Sequence, residues 1–517
     1  MQTIDVNFTK SVQSLKSTAF RGDISDRLWI YQTCAEFGYF QSTNRGTNAF
    51  GQTQSTSPFI EYCIQLFGID VDTIEKNVES TNAYYGGRDY YAGTNVVFSH
   101  GTQDPWSFLT KKDDSRHSSV VLLVINGGDH CSDLGSSCFT NPASCTDNMK
   151  QVQQTTLENM KRWINPVEYV PDRIEITDVG KRPLDDISPA SKSATQVIPS
   201  NPTRGNRKDD EITAPKELIG RTRWNAFTGN GRRRVSPPAK YETVNNETIG
   251  QLTIEQPWDH FNASDKRTFR QIFFYNYYFF GSQDAPNFLI IGRNGPEHRS
   301  DVDTREYAYV QYAQAVGANI FVLEHRYYGQ SKLGTNDLQY LTSAQMLYDV
   351  AAFIRARQEV EKLTGPWITF GGSYSGNLAA WSRQWFPDLI LGAVASSAPV
   401  LAKNDFYESL EMVEEVIKRR DQKCYDRTSE AFAKLFKLSQ DPAGRKTISD
   451  KFELSPAWTG APDEVIDALD LNLVFNTLYG MYYEVVVYDL PNWGHLTNLC
   501  APMVNERLYP DPIDALR

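Results

Sequence analysis

The segment WITFGGSYSGNLAAW at 367–381 constrains this chain more than any other. WITF at 367–370 reads as a buried strand, two glycines follow, then Ser373, then a turn of small residues leading into a helix over 377–386 that stops at Pro387. A serine pushed out of a tight strand-to-helix turn needs small neighbours two residues away on each side, because larger side chains collide with the strained backbone. Gly371 and Ser375 fill those places, and Gly376 lets the helix pack closely. The helix N-terminus and the Tyr374 amide then face the place where an oxyanion would develop. The bland alternative is a tight turn with an incidental serine. The strand before it and the helix after it favour a nucleophile.

The flanking sequence sets that turn in an α/β fold. NFLIIG at 287–292, NIFVLEHRYYG at 319–329 and LGAVASSAP at 391–399 are short apolar runs of the kind that form buried parallel strands. A helix is expected over 343–361, with Thr342 and Gln345 at capping-box spacing. ETIGQLTIEQPWDHF and FRQIFFYNYYFF alternate as strands do. Strands alternating with helices imply a mostly parallel sheet covered on both faces. Residues 401–517 carry amphipathic helical stretches and no evident strand, which reads as a helical insertion or cap. Residues 1–168 hold two further strand-like runs, NVVF at 95–98 and SVVLLVIN at 119–126, and close on a helix near 149–164. Between the ordered parts, 169–242 is rich in Pro, Ser, Asn, Lys and Arg and reads as a disordered linker, with RWNAF at 223–227 as a small local anchor.

A nucleophilic serine needs a base, and the base needs an orienting carboxylate. Parallel sheets present such groups on loops beyond the carboxyl ends of strands. After NVVF comes SHGTQDPW with Asp104; after VVLLVIN comes GGDHCSDL with His130, and Asp129 and Asp133 beside it. Taken alone, a loop histidine is more often solvated or satisfied, and Asp104 could simply cap the turn before Pro105.

DHFN at 259–262, EHRYYGQS at 324–331, LTSAQ at 341–345, GGSYSGNLAAW at 371–381 and SSAPV at 396–400 resemble the family of lysosomal prolyl carboxypeptidase, dipeptidyl peptidase II and thymus-specific serine protease. So do RLWIYQTCAEFGYFQ at 27–41, NVVFSHGTQDPW at 95–106 and INGGDHCSDL at 125–134. The resemblance implies an α/β-hydrolase core with a helical insertion, Ser373 as nucleophile, His130 as general base and Asp104 as its orienter. It implies exopeptidase action beside proline in a lysosomal or secreted setting, with proline-containing peptides as substrates, and a homodimer as the assembly to consider. The Tyr374 amide and a loop holding Gly292 and Gly295 would stabilise the oxyanion, and Trp106 is a candidate for the substrate pocket.

Three departures stand out. Asn294 replaces the Glu usual in that loop, and Ala344 replaces a common Glu. Family members also run Ser, Asp, His, whereas this chain runs Asp104, His130, Ser373. Residues 1–168 therefore read as the C-terminal part of a hydrolase unit, 243–400 as the N-terminal part, and 401–517 as its cap. Either the chain is a fragment of a tandem protein, or the two parts form one permuted hydrolase. A flexible linker of about 75 residues reaches roughly 45–50 Å, enough to join them.

The remaining composition narrows the field. A net charge of −11 over 517 residues argues against a nucleic-acid partner. No apolar run approaches a membrane span. No CxxC pair has zinc spacing, so no metal or other cofactor is expected. Of seven cysteines, Cys34 with Cys63 and Cys424 with Cys500 are plausible disulfides; Cys131, Cys138 and Cys145 allow one more pair. Asn7, Asn246 and Asn262 sit in glycosylation sequons, and MQTIDVNFTK does not look like a signal peptide. Alternatives to a proline-directed exopeptidase are a catalytically inactive relative acting as a binding or structural protein, and an esterase.

Overall fold

The computed structural model describes residues 4–16, 24–43, 45, 48–112, 119–135, 138–166, 248–488 and 495–516. The expected linker at 169–242, its anchor at 223–227 and the sequon at Asn246 lie outside these. In chain order the strands are β1 (Gly38–Phe40), β2 (Val96–Gly101), β3 (Val120–Ile125), β4 (Ile249–Pro257), β5 (Thr268–Asn276), β6 (Asn287–Ile291), β7 (Asn319–Leu323), β8 (Trp367–Gly372), β9 (Ile390–Ser396) and β10 (Lys403–Asp405).

Eight of them form one sheet in the order β3-β2-β9-β8-β6-β7-β5-β4. Pairing is parallel from β3 through β7, and β5 runs antiparallel to both β7 and β4. This is the mostly parallel α/β sheet that the run of apolar segments implied, and it fits the α/β-hydrolase core that the resemblance implied. The central strands are apolar on consecutive residues because both faces are covered. Phe288, Ile320 and Ile368 pack on one side with Trp163 of the helix Asp147–Ile164. Leu289, Phe321 and Trp367 pack on the other with Phe353 and Trp381, from the helices Ser343–Val360 and Tyr374–Trp385. Each such side chain contributes on the order of 1.5–3 kcal/mol through burial.

The first stretch of chain joins the second within this sheet. β2 lies beside β9, with Val96 opposite Ala393 and Ser99 opposite Ser396, and β3 extends the sheet beyond it. The helical part is also shared. Leu410, Val413, Phe432, Phe475 and Tyr482 form its core together with Val6 and Phe50. Asp5 bridges to Ser455. Three disulfides are present: Cys34–Cys63, Cys424–Cys500 and Cys138–Cys145, with Cys131 free.

Several expectations shift. The helix after Ser373 begins at Tyr374, three residues before the expected 377, because the turn takes a single residue. NIFVLEHRYYG is strand only to Leu323, since Glu324 turns inward to accept the amides of Glu297 (3.2 Å), Gln330 (2.9 Å) and Ser331 (2.8 Å). The last stretch does hold a strand, β10, which pairs with β1. Before residue 95 the chain is mostly helical, with helices such as Ser57–Phe67 and Val71–Tyr85.

The motifs DHFN and EHRYYG meet in a buried ion network. Asp349, fully buried, faces Arg326 Nε and Nη2 and His260 Nε2, all at 2.7 Å. Arg326 also donates to the carbonyls of Trp258 (2.9 Å) and Tyr340 (3.2 Å). Removing one member strands a buried charge. Asp349→Ala is therefore expected to cost about 3–5 kcal/mol, measured as loss of thermal and denaturant stability; an unchanged midpoint would contradict the network's role.

Candidate active site

β8 delivers Ser373 on a strained turn. Its backbone sits at φ 58°, ψ −131°, where a residue with a Cβ is rarely found. The turn is held from both sides: Ser373 N–H donates to the Ser396 carbonyl (2.9 Å), and the Ser373 carbonyl accepts from Gly376 (2.9 Å) and Asn377 (3.3 Å). A Cβ on Gly371 would fall 2.0 Å from the Ser375 carbonyl oxygen, so glycine is required there. Tyr374 is the first residue of its helix, and its amide has no acceptor within that helix. Its side chain is buried, with the hydroxyl 2.9 Å from Gln32 Nε2 and 3.1 Å from His325 Nε2. Burial pushes the His325 imidazole down to about 4. Gln32 in turn accepts from Tyr328 (2.6 Å). The Tyr374 ring thus anchors the turn and is not free to line a pocket.

The sheet brings the other two loops to the same edge. Gly372, Ser396, Ser99 and Leu123 lie level across β8, β9, β2 and β3. Asp104 follows β2 and His130 follows β3. Asp104 is fully buried, and its Oδ1 lies 2.9 Å from His130 Nδ1. The same oxygen accepts the Trp106 amide at 2.9 Å, so capping the turn and holding the imidazole are one arrangement. His130 is pinned by its own amide, which donates to the Val487 carbonyl (3.2 Å), and by Cys131, whose amide donates to Ser397 Oγ (2.9 Å). Cys131 Sγ stands 2.9 Å from where a Cβ on Gly372 would lie, which puts the residue after His130 against the residue before Ser373. Among the described residues the Ser373 hydroxyl makes no side-chain hydrogen bond, to His130 or to any other group.

The neighbouring carboxylates separate by environment. Asp133 accepts Ser99 Oγ (2.6 Å) and the Ser396 hydroxyl, and so ties β2 to β9. Asp129 is buried with neither oxygen hydrogen-bonded among the described residues; burial first, then the Asp104 charge, push it up to about 6. In the 292–295 loop the Gly292 amide already donates to the Leu323 carbonyl (2.8 Å), which leaves it no hydrogen for an oxyanion. Arg293 N–H is held by Glu297 (2.7 Å), and Gly295 faces open space. Trp106 is half-buried, its ring 6.2 Å from that of His130 and packed on Tyr39 and Phe406. Asn7 and Asn262 each use their side-chain oxygen locally, accepting from Lys10 (2.7 Å) and Ser264 (3.2 Å). Among the described residues no helix is long and apolar enough to cross a membrane.

Burial alone would push the His130 imidazole down, but the Cys131 sulfur and the Asp104 carboxylate outweigh it and hold it well above its ordinary value. A raised folded value adds stability that is fully present below the unfolded value of about 6.5 and is lost as pH rises through the folded one. Asp104→Asn should therefore lower the His130 midpoint in an NMR titration. The stability gap between wild type and variant should be wider in mild acid than in alkali; a midpoint that stays put would show that Asp104 does not govern the ring.

Residues 1–152 and 256–507 match the family Serine carboxypeptidase S28. Thymus-specific serine protease of Mus musculus is 46% identical over 30% of this chain and 31% of its own. Lysosomal Pro-X carboxypeptidase of Bos taurus is 29% identical over 41% and 44%. A Caenorhabditis elegans relative is 38% identical over 50% of this chain and 47% of its own. The chain thus spans about half the length, or less, of these curated relatives. With the family match covering most of its residues on both sides of 167–247, the chain belongs to the S28 family of serine peptidases.

Proposed function

We propose that this chain is a serine exopeptidase cleaving peptides beside proline, with Ser373 as nucleophile, His130 as general base and Asp104 as the group that orients it. The observation that carries this reading is the sheet order. β2 and β3 continue the sheet beyond β9, so the loops bearing Asp104 and His130 emerge beside the turn bearing Ser373. Family members run Ser, Asp, His along the chain; here the order along the chain is Asp, His, Ser, and the three loops leave the same end of one sheet. That supports one permuted hydrolase built from 1–168 and 243–400, with 401–517 as its cap.

In the proposed reaction, His130 Nε2 takes the Ser373 proton as the hydroxyl attacks the substrate carbonyl, and Asp104 holds the Nδ1–H tautomer. The Tyr374 amide stabilises the oxyanion, with the 294–295 backbone as its second donor. His130 then returns the proton to the leaving amine, and water repeats the sequence on the acyl-enzyme. The lysosomal relative and the disulfides support a secreted or lysosomal setting, where oxidised cysteines persist. The unbonded Ser373 hydroxyl favours a second reading, a folded binding protein without turnover, and the test separates the two.

A fluorophosphonate probe is expected to label Ser373 in the purified chain, and Ser373→Ala or His130→Ala to abolish labelling. Asp104→Asn should lower turnover of a prolyl amide by about 10⁴-fold. Folded protein that takes no label would leave the binding-protein reading in place.

A further inference from the structure

The loops after β2 and β3 are laced together through their backbones. Thr102 N–H donates to the Ile125 carbonyl and Gln103 N–H to the Gly128 carbonyl, each at 2.9 Å, and Gly127 N–H donates to Thr102 Oγ1 at 2.9 Å. A Cβ on Gly101 would fall 1.9 Å from the Gly128 oxygen and 2.7 Å from the Asp129 carbonyl oxygen, so the loops meet at a glycine. Asp104 N–H donates to the carbonyl of that same Gly101 (3.3 Å). Asp129 therefore adjoins Asp104 across the loops and His130 along the chain.

Asp129 is 1% exposed, and neither of its oxygens has a hydrogen bond among the described residues. Asp104 Oδ2 is buried and unbonded as well. Buried carboxylates in native proteins nearly always find donors, and shifted protonation concentrates at functional sites. Asp104 and His130 both act on Asp129 through their charges. Around Asp104 and His130 stand Cys131, Asp133 tied to Ser99 and Ser396, His100 of β2, which burial pushes towards its neutral form, and Tyr483 and Tyr488 from the cap. An ionised Asp129 sets a second negative charge beside that of Asp104, and a protonated His130 offsets both. Ionised Asp129 and protonated His130 thus favour one another, and their titrations are coupled. A general base must be neutral to take the Ser373 proton.

We infer that Asp129 is a positioning residue for the proposed reaction: its carboxylate acts through His130 and sets the pH at which the imidazole gives up its proton and Ser373 is activated. This deepens the proposed triad reading and rests on it. Charge is responsible and shape is not, so an amide and a methyl group in place of the carboxylate have the same consequence.

The experiment measures kcat/KM against pH on a prolyl amide for wild type, Asp129→Asn and Asp129→Ala, and follows the His130 ring by NMR titration. Thermal unfolding and fluorophosphonate labelling are recorded in the same preparations. Without the Asp129 charge the imidazolium is less favoured, so in both variants the His130 midpoint should fall by about one pH unit. Between the Asp129 and His130 midpoints, kcat/KM of both variants should exceed wild type by up to about ten-fold. The curves should converge in stronger acid, where wild-type Asp129 is itself neutral. Loss of a merely structural group gives no such gain. Folded, labelled variants that keep the wild-type midpoint and profile overturn the inference and leave the triad reading intact; a shift in one variant alone does the same. Should neither variant fold, wild type decides: its His130 ring should show two inflections, its own and that of Asp129, and a single one overturns the inference. Folded wild type that takes no label overturns the triad reading and the inference together.

Discussion

Everything at the candidate site depends on four backbone positions of β2, Val96 to Ser99, that pair with both β9 and β3. That pairing joins stretches nearly 300 residues apart in sequence (Val96 opposite Ala393) and sets Asp104, His130 and Ser373 at one edge of the sheet. With strands near 4.8 Å apart, the loop after β2 lies two strands from the Ser373 turn and the loop after β3 three, and a slip of one residue would turn each side chain to the other face. The strands carry the register through burial: Val96, Val97 and Phe98 are all covered, so no shifted pairing keeps the same contacts.

Around that frame, polar groups divide into those that hold shape and those left open to chemistry. Asp349, Glu324 and Asp133 are buried and saturated by arginine, amides or hydroxyls. Their hydrogen bonds tie hairpin to strand, loop to strand and β2 to β9. Ser373 keeps a hydroxyl without a hydrogen bond among the described residues, and His130 is held through Nδ1 by Asp104. The strain of a non-glycine residue at positive φ is borne by Ser373, and the flanking contacts at Gly371 and Ser396 make that conformation the one the turn can take.

Much of this was legible in the residues. The strands β6 to β9, the turn at Ser373 and the cap on the helix Ser343–Val360 follow from apolar runs, glycines and a Thr-x-x-Gln pattern, which are local signals. The Asp104–His130 pair needed the resemblance, since 26 residues and a strand separate its members. What stayed hidden depends on distant contacts. β1 and β10 are three residues each and exist only because they find one another. The Gly292 amide looks available in sequence and is taken by β7.

The three disulfides each close within one stretch: two before residue 146 and one between Cys424 and Cys500. No covalent bond other than the backbone through 167–247 therefore joins the two stretches among the described residues. A single peptide cleavage there would convert the molecule into a heterodimer that keeps every strand pairing of the described residues; with β2 locked between β9 and β3 and Val6 and Phe50 inside the cap, those pairings would part only by unfolding. The connection sets the effective concentration at which the halves first meet during synthesis.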